Sequence, residues 1–219
     1  MTEAEWLAGN DPKRMLGTLR VSADPRRLRL FACACARRVL PLLTDPEGEQ
    51  IVQTAERFAD GLVSAEEFGR AGATALGVSD RAAERAGYTI SEETFLADAL
   101  VSLTGRDPSG ASELVPRYVR DAHLAHERAS TEASAQSGLV RDIFGNPFRP
   151  VTADPAWLTS TVVALAHGVY DERAFDRLPI LADALQDAGC DHADLLDHCR
   201  DADLHARGCW VVDLLLGKA

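Results

Sequence analysis

Apolar residues recur along most of this chain at spacings of three and four, the period of an amphipathic helix. Helix-start signals recur with them, because an aspartate that can cap a helix precedes a proline that fits the first turn. These Asp-Pro pairs occur at positions 11–12, 24–25, 45–46 and 154–155. Few segments alternate with the two-residue period of a strand. The pattern predicts an all-α fold, either a multi-helix globular bundle or a helical-hairpin array.

Residues 178–218 contain the most apolar run of the chain and three short predicted helices. Pro179 suits a first helical turn, and Gly189 suits the end of that helix. The third helix covers residues 210–216, which are apolar on nearly every face. Such a segment is typical of a helix that is buried on every face, and it is too short to cross a bilayer. We therefore predict a buried C-terminal helix.

The chain is long enough to bury a sizeable core, with 219 residues of which 46 % are hydrophobic. We predict a single all-α domain over residues 1–219. Within it the pattern separates a group of N-terminal helices at 1–76, a middle at 77–138 that glycines interrupt, and a C-terminal unit at 139–219.

One long helix is predicted in the middle of the chain. It begins at Ser112, which places Pro116 in the first turn where a proline is tolerated, and it continues through an alanine-rich span to Ile143. His123 and His126 lie on it three residues apart, a spacing that can present two imidazoles to a metal in a helical bundle. No Glu-x-x-His sequence accompanies them, so we interpret them as solvent-facing residues.

Acidic residues outnumber basic ones, 34 to 23, which gives a net charge of -11. Such a protein is overall a poor partner for nucleic acid. The N-terminus has no positive segment that leads into an apolar run, and no run is long enough to span a bilayer, so we expect no membrane partner. Five cysteines spread over this length do not form a disulfide framework, and the reducing cytoplasm is the expected location.

Two segments of the sequence are locally rich in charges of one sign. The arginine-rich segment holds Arg20, Arg26, Arg27, Arg29, Arg37 and Arg38. The aspartate-rich segment holds Asp183, Asp187, Asp191, Asp194, Asp197, Asp201 and Asp203. Blocks of opposite charge attract each other within one chain or between two chains. We predict a protein partner, and self-association through the Arg-rich N-terminal and Asp-rich C-terminal surfaces is one form of it.

Residues 178–218 also hold three of the five cysteines and three of the six histidines. Thiolate and imidazole are the ligands that zinc prefers, and a structural zinc site needs four ligands. Residues 194 and 198 are four apart on a predicted helix, as are 205 and 209 if their segment is helical, and each pair then shares one face. The candidate zinc ligands are Asp194, His198, His205 and Cys209, with Cys199 as the alternative to Asp194.

A second interpretation assigns the same side chains to packing. No CxxC pair supports a zinc knuckle, free cysteine is among the most buried residue types, and a histidine near the end of a helix suits the helix dipole. On this interpretation the protein has no cofactor, whereas on the first its cofactor is zinc.

The sequence contains no motif of a known catalytic mechanism: the GxSxG elbow, HExxH, the Gly-rich phosphate loop and the dinucleotide fingerprint are all missing. Cys33 and Cys35 would point about 200° apart on a helix, so we interpret them as core thiols. Asp171, Glu172 and Asp176 alternate with arginines and are typical of surface ion pairs. We assign no catalytic residue, and the sequence favours a non-enzymatic protein.

The chain resembles a bacterial family of uncharacterised proteins. The resemblance rests on an MTEAEWL N-terminus, an RLRLFACACARR-like block and the C-terminal blocks RDIFGNPFRP, RLPILADALQDAGC and HARGCWVVDLLLGK. It covers roughly the first 60 residues and the chain from Leu139 to its end. It implies no activity, cofactor or partner, but it suggests that the C-terminal blocks act as one unit. Recurring motifs of that unit contain Arg149, Asp176, Cys190, His205 and Cys209.

From these patterns we expect a non-enzymatic helical interaction or assembly module that binds a protein partner, because the chain offers much helix surface and no organised chemistry. The first alternative is a helical protein with a structural zinc site in the C-terminal Cys/His cluster. The second is a metal- or carboxylate-dependent enzyme, which requires His198, His205 and Asp176 to converge in one pocket.

Overall fold

The computed structural model describes residues 1–19, 24–124, 129–201 and 204–218. These residues form twelve α-helices and three single 3₁₀ turns, and they contain no strand, which confirms the all-α prediction. The first six helices are α1 Glu3–Ala8, α2 Pro12–Leu19, α3 Pro25–Val39, α4 Glu47–Ala59, α5 Ala65–Arg85 and α6 Glu92–Leu103. The other six are α7 Pro108–Leu124, α8 Ala129–Phe144, α9 Ser160–Glu172, α10 Leu178–Asp187, α11 Ala193–Arg200 and α12 Trp210–Leu215. None of the described helices combines the length and the apolar character that a bilayer-crossing helix needs.

The helices form two compact units. The N-terminal unit comprises Met1 and Ala8–Ser137, and the C-terminal unit comprises Thr2–Leu7 and Gly138–Ala219. Whether residues 1–219 behave as a single domain remains a prediction.

Helix α3 is the centre of the N-terminal unit. Asp24 caps it by accepting a hydrogen bond from the Arg26 N–H, and Pro25 occupies the first turn, as the Asp-Pro pattern predicts. All residues from Leu28 to Ala36 are buried, because α3 packs against α4, α6 and α7. Helix α5 packs against α4 and α6 on the far side of this group. Cys33 and Cys35 are therefore fully buried thiols of the core.

Arg29 is the buried charge of this core, with only 3 % of its surface exposed. Its Nη1 donates to the carbonyl oxygens of Leu103 and Gly105 at 2.8 and 3.0 Å, where α6 ends. The guanidinium also lies over the ring of Phe68, 4.8 Å from its centroid, and Phe58 stacks on that ring. A cation at the C-terminus of a helix satisfies carbonyls that have no partner within the helix. Arg29 thus ties α3 to the ends of three other helices.

The arginine-rich segment is largely paired within the N-terminal unit. The ion pairs are Arg26 with Asp60, Arg37 with Glu56 and Arg38 with Glu132, at 2.9, 2.7 and 2.8 Å. Arg20 of this segment and Asp203 of the aspartate-rich segment lie outside the described residues. Self-association through the two segments remains a prediction, and these arginines already have carboxylate partners.

Helix α7 begins at Pro108, which corrects the predicted start at Ser112 and places Pro116 in the helix interior. The reason is a further Asp-Pro pair, because Asp107 accepts hydrogen bonds from the N–H groups of Ser109 and Gly110 at 2.9 and 3.0 Å. The prediction that this helix continues unbroken to Ile143 is wrong, because Gln136 of α8 donates to the Pro116 carbonyl of α7 at 3.0 Å, whereas residues twenty apart on one helix are about 30 Å apart. Residues 125–128 lie outside the described residues, as do the side chains of the His123 and His126 pair.

The C-terminal unit is built on α9, α10, α11 and α12. Helix α10 packs against α9 and α11, and α12 packs against the same two helices. The apolar core of this unit includes Val162, Val169, Leu181, Leu185, Leu195, Val211, Val212 and Leu215. Val211, Val212 and Asp213 of α12 are fully buried, which confirms the prediction of a buried C-terminal helix.

Helix α1 and the last turns of α8 complete the C-terminal unit. Trp6 is fully buried, and its carbonyl oxygen accepts a hydrogen bond from Arg141 Nε at 3.1 Å. Gly145 then ends α8 with a φ of 66°, and a Cβ at this position would lie 3.2 Å from the ring of Trp210. Glycine is favoured here because the positive φ strains other residues and the ring of Trp210 leaves little room for a Cβ.

We expect Arg29→Met to lower the free energy of unfolding by about 3 kcal/mol, because the buried carbonyls at the end of α6 lose their donor. Chemical denaturation measures the change. Arg70→Met is the matched control, since Arg70 is an exposed residue of α5 whose ion pair with Glu66 is solvated, and its effect should stay within about 0.5 kcal/mol. Equal effects of the two substitutions would contradict the role given to Arg29.

Candidate metal centre

Four side chains of the C-terminal unit converge in one buried group, which we call the Asp142 cluster: Asp142, His198, His205 and Cys209. Each offers one potential ligand atom, and these four atoms all lie within 4.8 Å of one another. Asp142 and Cys209 are fully buried, 6 % of the His205 side chain is exposed, and His198 is the most exposed of the four with 18 % of its side chain. The cluster therefore lies inside the protein and not on its surface.

Three segments of the chain bring these side chains together. Asp142 lies in the last turns of α8, between the buried residues Val140 and Ile143. His198 lies in the last turn of α11, and His205 and Cys209 belong to the irregular segment 204–209 that precedes α12.

The backbone fixes segment 204–209 against α8. The N–H of Ala206 donates to Asp142 Oδ2 at 2.8 Å, so the carboxylate is held by the segment that carries two of its neighbours. The Cys209 N–H donates to the Ala206 carbonyl at 2.9 Å, and Gly208 between them has a φ of 96°. This turn needs glycine, because a side chain is strained at that φ. It delivers the Cys209 thiol to the cluster immediately before α12 begins.

The contacts inside the cluster are short. His205 Nδ1 lies 2.8 Å from Asp142 Oδ1, and His198 Nε2 lies 3.2 Å from the same oxygen. His198 Nε2 also lies 3.2 Å from Cys209 Sγ. One imidazole nitrogen carries at most one proton, so His198 Nε2 cannot make a full hydrogen bond to both neighbours. A cation placed among the four donor atoms would interact favourably with all of them.

The His205 imidazole has an outer hydrogen-bond acceptor, and the His198 imidazole has ring neighbours. His205 Nε2 lies 3.4 Å from the carbonyl oxygen of Asp201, so its second nitrogen has an acceptor when Nδ1 faces the cluster. The two imidazole rings meet edge to face, with their centroids 5.0 Å apart. The ring centroids of Trp210 and His198 are 5.3 Å apart. Metal-binding histidines commonly have an acceptor on the nitrogen that does not bind the metal.

The electrostatics of the cluster favour positive charge at its centre. Burial acts to raise the pKa of Asp142, but hydrogen bonds with His198 and His205 hold that pKa below its ordinary value. Burial acts to lower the pKa of His205, but the hydrogen bond and charge of Asp142 raise it overall. Burial, with the charge of Asp142 second, raises the pKa of Cys209 well above its ordinary value. The thiol is therefore protonated unless a cation stabilises the thiolate.

The structure brings together three of the five residues proposed from the sequence, His198, His205 and Cys209. Asp194 is exposed in the first turn of α11 and is not part of the cluster. Cys199 is buried beside His198 in α11 but is also outside it, because adjacent residues of a helix point about 100° apart. The assumption that 205 and 209 share a helical face is wrong, since segment 204–209 is irregular and contacts, not helical spacing, bring them together.

Asp142 is the residue that sequence reasoning missed. It is remote in sequence from the other three, so no local spacing connects it with them. A weaker signal was present, because Asp142 is a carboxylate close to the apolar residues Val140, Ile143 and Phe144 near the end of a predicted helix, inside the RDIFGNPFRP block. A buried carboxylate needs a donor or a cation, and that requirement alone marks it for attention.

The three carboxylates near the end of α9 do not form a site. Asp171, Glu172 and Asp176 are exposed, and Glu172 forms a surface ion pair with Arg177 at 3.0 Å. Asp176 is not part of the Asp142 cluster, so the pocket that an enzyme built on His198, His205 and Asp176 requires is not formed by these groups.

Comparison with known proteins adds no assignment. The chain matches no protein-family model, and neither the curated proteins nor the solved structures give a significant match. A functional assignment therefore rests on the geometry of the cluster: a buried carboxylate, two imidazoles and a thiol that can hold a metal ion.

In the presence of a chelator we expect Asp142→Asn to lower the free energy of unfolding by about 1.5 to 3 kcal/mol, because hydrogen bonds to a buried charge are lost. The pKa of Asp142 is lowered on folding, so this difference is present above the unfolded-state pKa of about 3.9 and shrinks as the pH falls through the lower folded-state pKa. Chemical denaturation at several pH values measures it.

Asp194→Asn is the matched control for this prediction, because Asp194 is an exposed aspartate of the same unit. Its effect should stay within about 0.5 kcal/mol at every pH. A loss that is equal in the two variants, or one that keeps growing as the pH falls below about 3.9, would contradict the assigned role of Asp142.

Proposed function

We propose that the C-terminal unit binds one zinc ion in the Asp142 cluster and that this ion has a structural role. The ion would be held by Asp142 Oδ1, His198 Nε2, His205 Nδ1 and Cys209 Sγ. The observation that carries the proposal is the convergence of these four atoms: all lie within 4.8 Å of one another, and three of the six pairs are separated by 2.8 to 3.2 Å. Adjacent ligand atoms around a tetrahedral zinc ion lie about 3.3 to 3.6 Å apart, so small side-chain shifts suffice to admit the ion.

The donor types favour zinc over other common metals. Calcium and magnesium select oxygen ligands, and the cluster offers one carboxylate with two nitrogens and a sulfur. A set of imidazole and thiolate ligands in a four-coordinate arrangement is typical of zinc.

The number and burial of the donors favour a structural role over a catalytic one. A catalytic zinc site keeps one coordination position open for water or substrate, whereas four protein ligands fill a tetrahedral ion. The ligand side chains are mostly shielded from solvent, and even that of His198 is only 18 % exposed. These features leave no obvious position for a substrate beside the ion.

The competing interpretation, in which the same side chains only pack and form hydrogen bonds, explains the cluster less well. It leaves His198 Nε2 between a carboxylate oxygen and a sulfur at equal distances of 3.2 Å with at most one proton to share. With zinc bound, the Cys209 proton is released and all four donors face a cation.

The proposed ion would hold together three parts of the C-terminal unit. It would connect the end of α8, the end of α11 and the irregular segment 204–209, which lies outside the described helices. Metal binding to such a site contributes directly to folding stability, since the unfolded chain does not offer the preformed ligand set.

Metal analysis of tag-free protein tests the proposal through matched pairs of variants. We expect about one equivalent of zinc in the wild type, and a melting temperature that falls on chelation. His205→Ala, Cys209→Ser and Asp142→Asn should each lose most of the bound zinc. Their respective controls keep it: His192→Ala, Cys199→Ser and Asp194→Asn change a nearby residue of the same type outside the cluster.

The outcome that would overturn the proposal is protein that binds no zinc even after refolding with excess metal. Zinc that is retained by Cys209→Ser and Asp142→Asn, or lost equally from the control variants, would also overturn it, because the ion would then be bound elsewhere.

Binding of a protein partner is the second candidate function. It is favoured by Tyr88 and Ile90, the most exposed large hydrophobic residues among those described, at 79 % and 83 %. Both lie in the turn between α5 and α6, and Tyr88 has a φ of 59°. We expect Ile90→Asp to abolish recovery of a specific partner from the native host, while Leu62→Asp, at an exposed residue between α4 and α5, leaves it intact. Recovery of the same proteins by both variants would count against this function.

A further inference from the structure

The N-terminal unit contains a cavity of about 390 Å³ between α2 and α7, unrelated to the Asp142 cluster. This volume lies within the range of small-molecule sites, which is about 300 to 1,000 Å³. The residues that line it include Pro12, Lys13, Leu16 and Gly17 of α2, Leu28 of α3, and Glu113, Pro116, Arg117 and Arg120 of α7.

One part of the lining is apolar. Pro12, Leu28 and Pro116 are buried residues whose side chains face the cavity, and Leu16 beside them is half-buried. These side chains form a surface that suits a hydrocarbon group and not a strongly hydrated ion.

The other part of the lining is cationic. It carries Lys13, Arg117 and Arg120 against the single carboxylate of Glu113, in a protein whose net charge is -11. Glu113 is already paired with Lys13 at 3.5 Å, so its charge is offset locally. The two arginines are three residues apart on α7 and therefore lie on one face of that helix. Arg117 Nε also lies 3.6 Å from Asp121 Oδ2 in a solvated pair, which leaves its Nη groups for an anion.

Arg120 is the more enclosed of the two arginines. Its Nη1 donates to the amide oxygen of Gln136 at 2.6 Å, and Gln136 is held in turn by its own donation to the Pro116 carbonyl at 3.0 Å. Within the described parts of the chain Arg120 has no carboxylate at ion-pair distance. A half-buried guanidinium held by a neutral amide keeps donors available for an anion.

We propose that this cavity binds a small amphipathic anion, a carboxylate with a short aliphatic chain. The carboxylate accepts hydrogen bonds from Arg117 and Arg120, and the chain lies against Leu16, Leu28 and the two prolines. Guanidinium groups bind carboxylates with paired hydrogen bonds, which gives the site its preference for a negative head group. The inference does not depend on the zinc proposal, because all the residues that line the cavity belong to the N-terminal unit.

Gly17 allows a steric test that leaves the charges unchanged. It lines the cavity within α2, and a Cβ at this position would meet no atom within 4 Å. Gly17→Phe is therefore expected to fold and to fill the cavity, and Gly17→Ala is the matched control that improves helix propensity without filling it. Arg117→Gln tests the charge, since 67 % of the Arg117 side chain is exposed and its replacement should not disturb the fold.

Calorimetric titration with octanoate is the experiment. We expect saturable binding at one site, weakened about tenfold or more by Gly17→Phe and by Arg117→Gln and unchanged in Gly17→Ala. Octylammonium, with the same chain and the opposite charge, should bind at least tenfold more weakly than octanoate. Circular dichroism of each variant verifies that it is folded.

Any of three results would overturn the proposal. One is an absence of saturable octanoate binding to the folded wild type. The second is binding that Gly17→Phe does not weaken, because the ligand would then occupy another surface. The third is octylammonium binding as strong as that of octanoate, because the site would then recognise the aliphatic chain alone.

Discussion

A carboxylate that is removed from water must find donors or positive charge inside the protein, and the C-terminal unit is arranged around that requirement at Asp142. The residue is fully enclosed, and its neighbours come from α11 and from segment 204–209. Without those neighbours the burial of the charge would be strongly unfavourable. The same contacts hold an irregular segment in place directly before the buried helix α12. The burial of Asp142 thus accounts both for the contacts that hold segment 204–209 and for the convergence of the candidate ligands.

The N-terminal unit also buries a charge, but this charge is positive and its partners are mainly backbone carbonyls. Arg29 is buried among helix ends and donates to backbone carbonyls that would otherwise lack partners. Three backbone oxygens and the ring of Phe68 stabilise this guanidinium. In the Asp142 cluster the donors are two imidazoles and a thiol, which can also release protons and bind a metal. This difference in side-chain chemistry separates a structural buried charge from a candidate site.

Local signals in the sequence predicted the helices well, because capping and proline effects act within a few residues. The Asp24-Pro25 start of α3 and the buried residues of α12 follow from such signals. The composition of the candidate site depends instead on tertiary contacts. Asp194 has the right helical spacing to His198, yet the carboxylate beside His198 is Asp142, which comes from another helix far along the chain. Likewise His205 and Cys209 meet through a glycine turn and not through helical spacing.

The central claim is that the Asp142 cluster is a four-coordinate zinc site, and X-ray absorption at the zinc edge of the purified protein tests it most directly. We expect three nitrogen or oxygen ligands at about 2.0 to 2.1 Å and one sulfur at about 2.3 Å. A spectrum with no sulfur bound to the zinc, or with six oxygen ligands, would contradict the claim, because an ion held by Cys209 and two imidazoles cannot give that pattern.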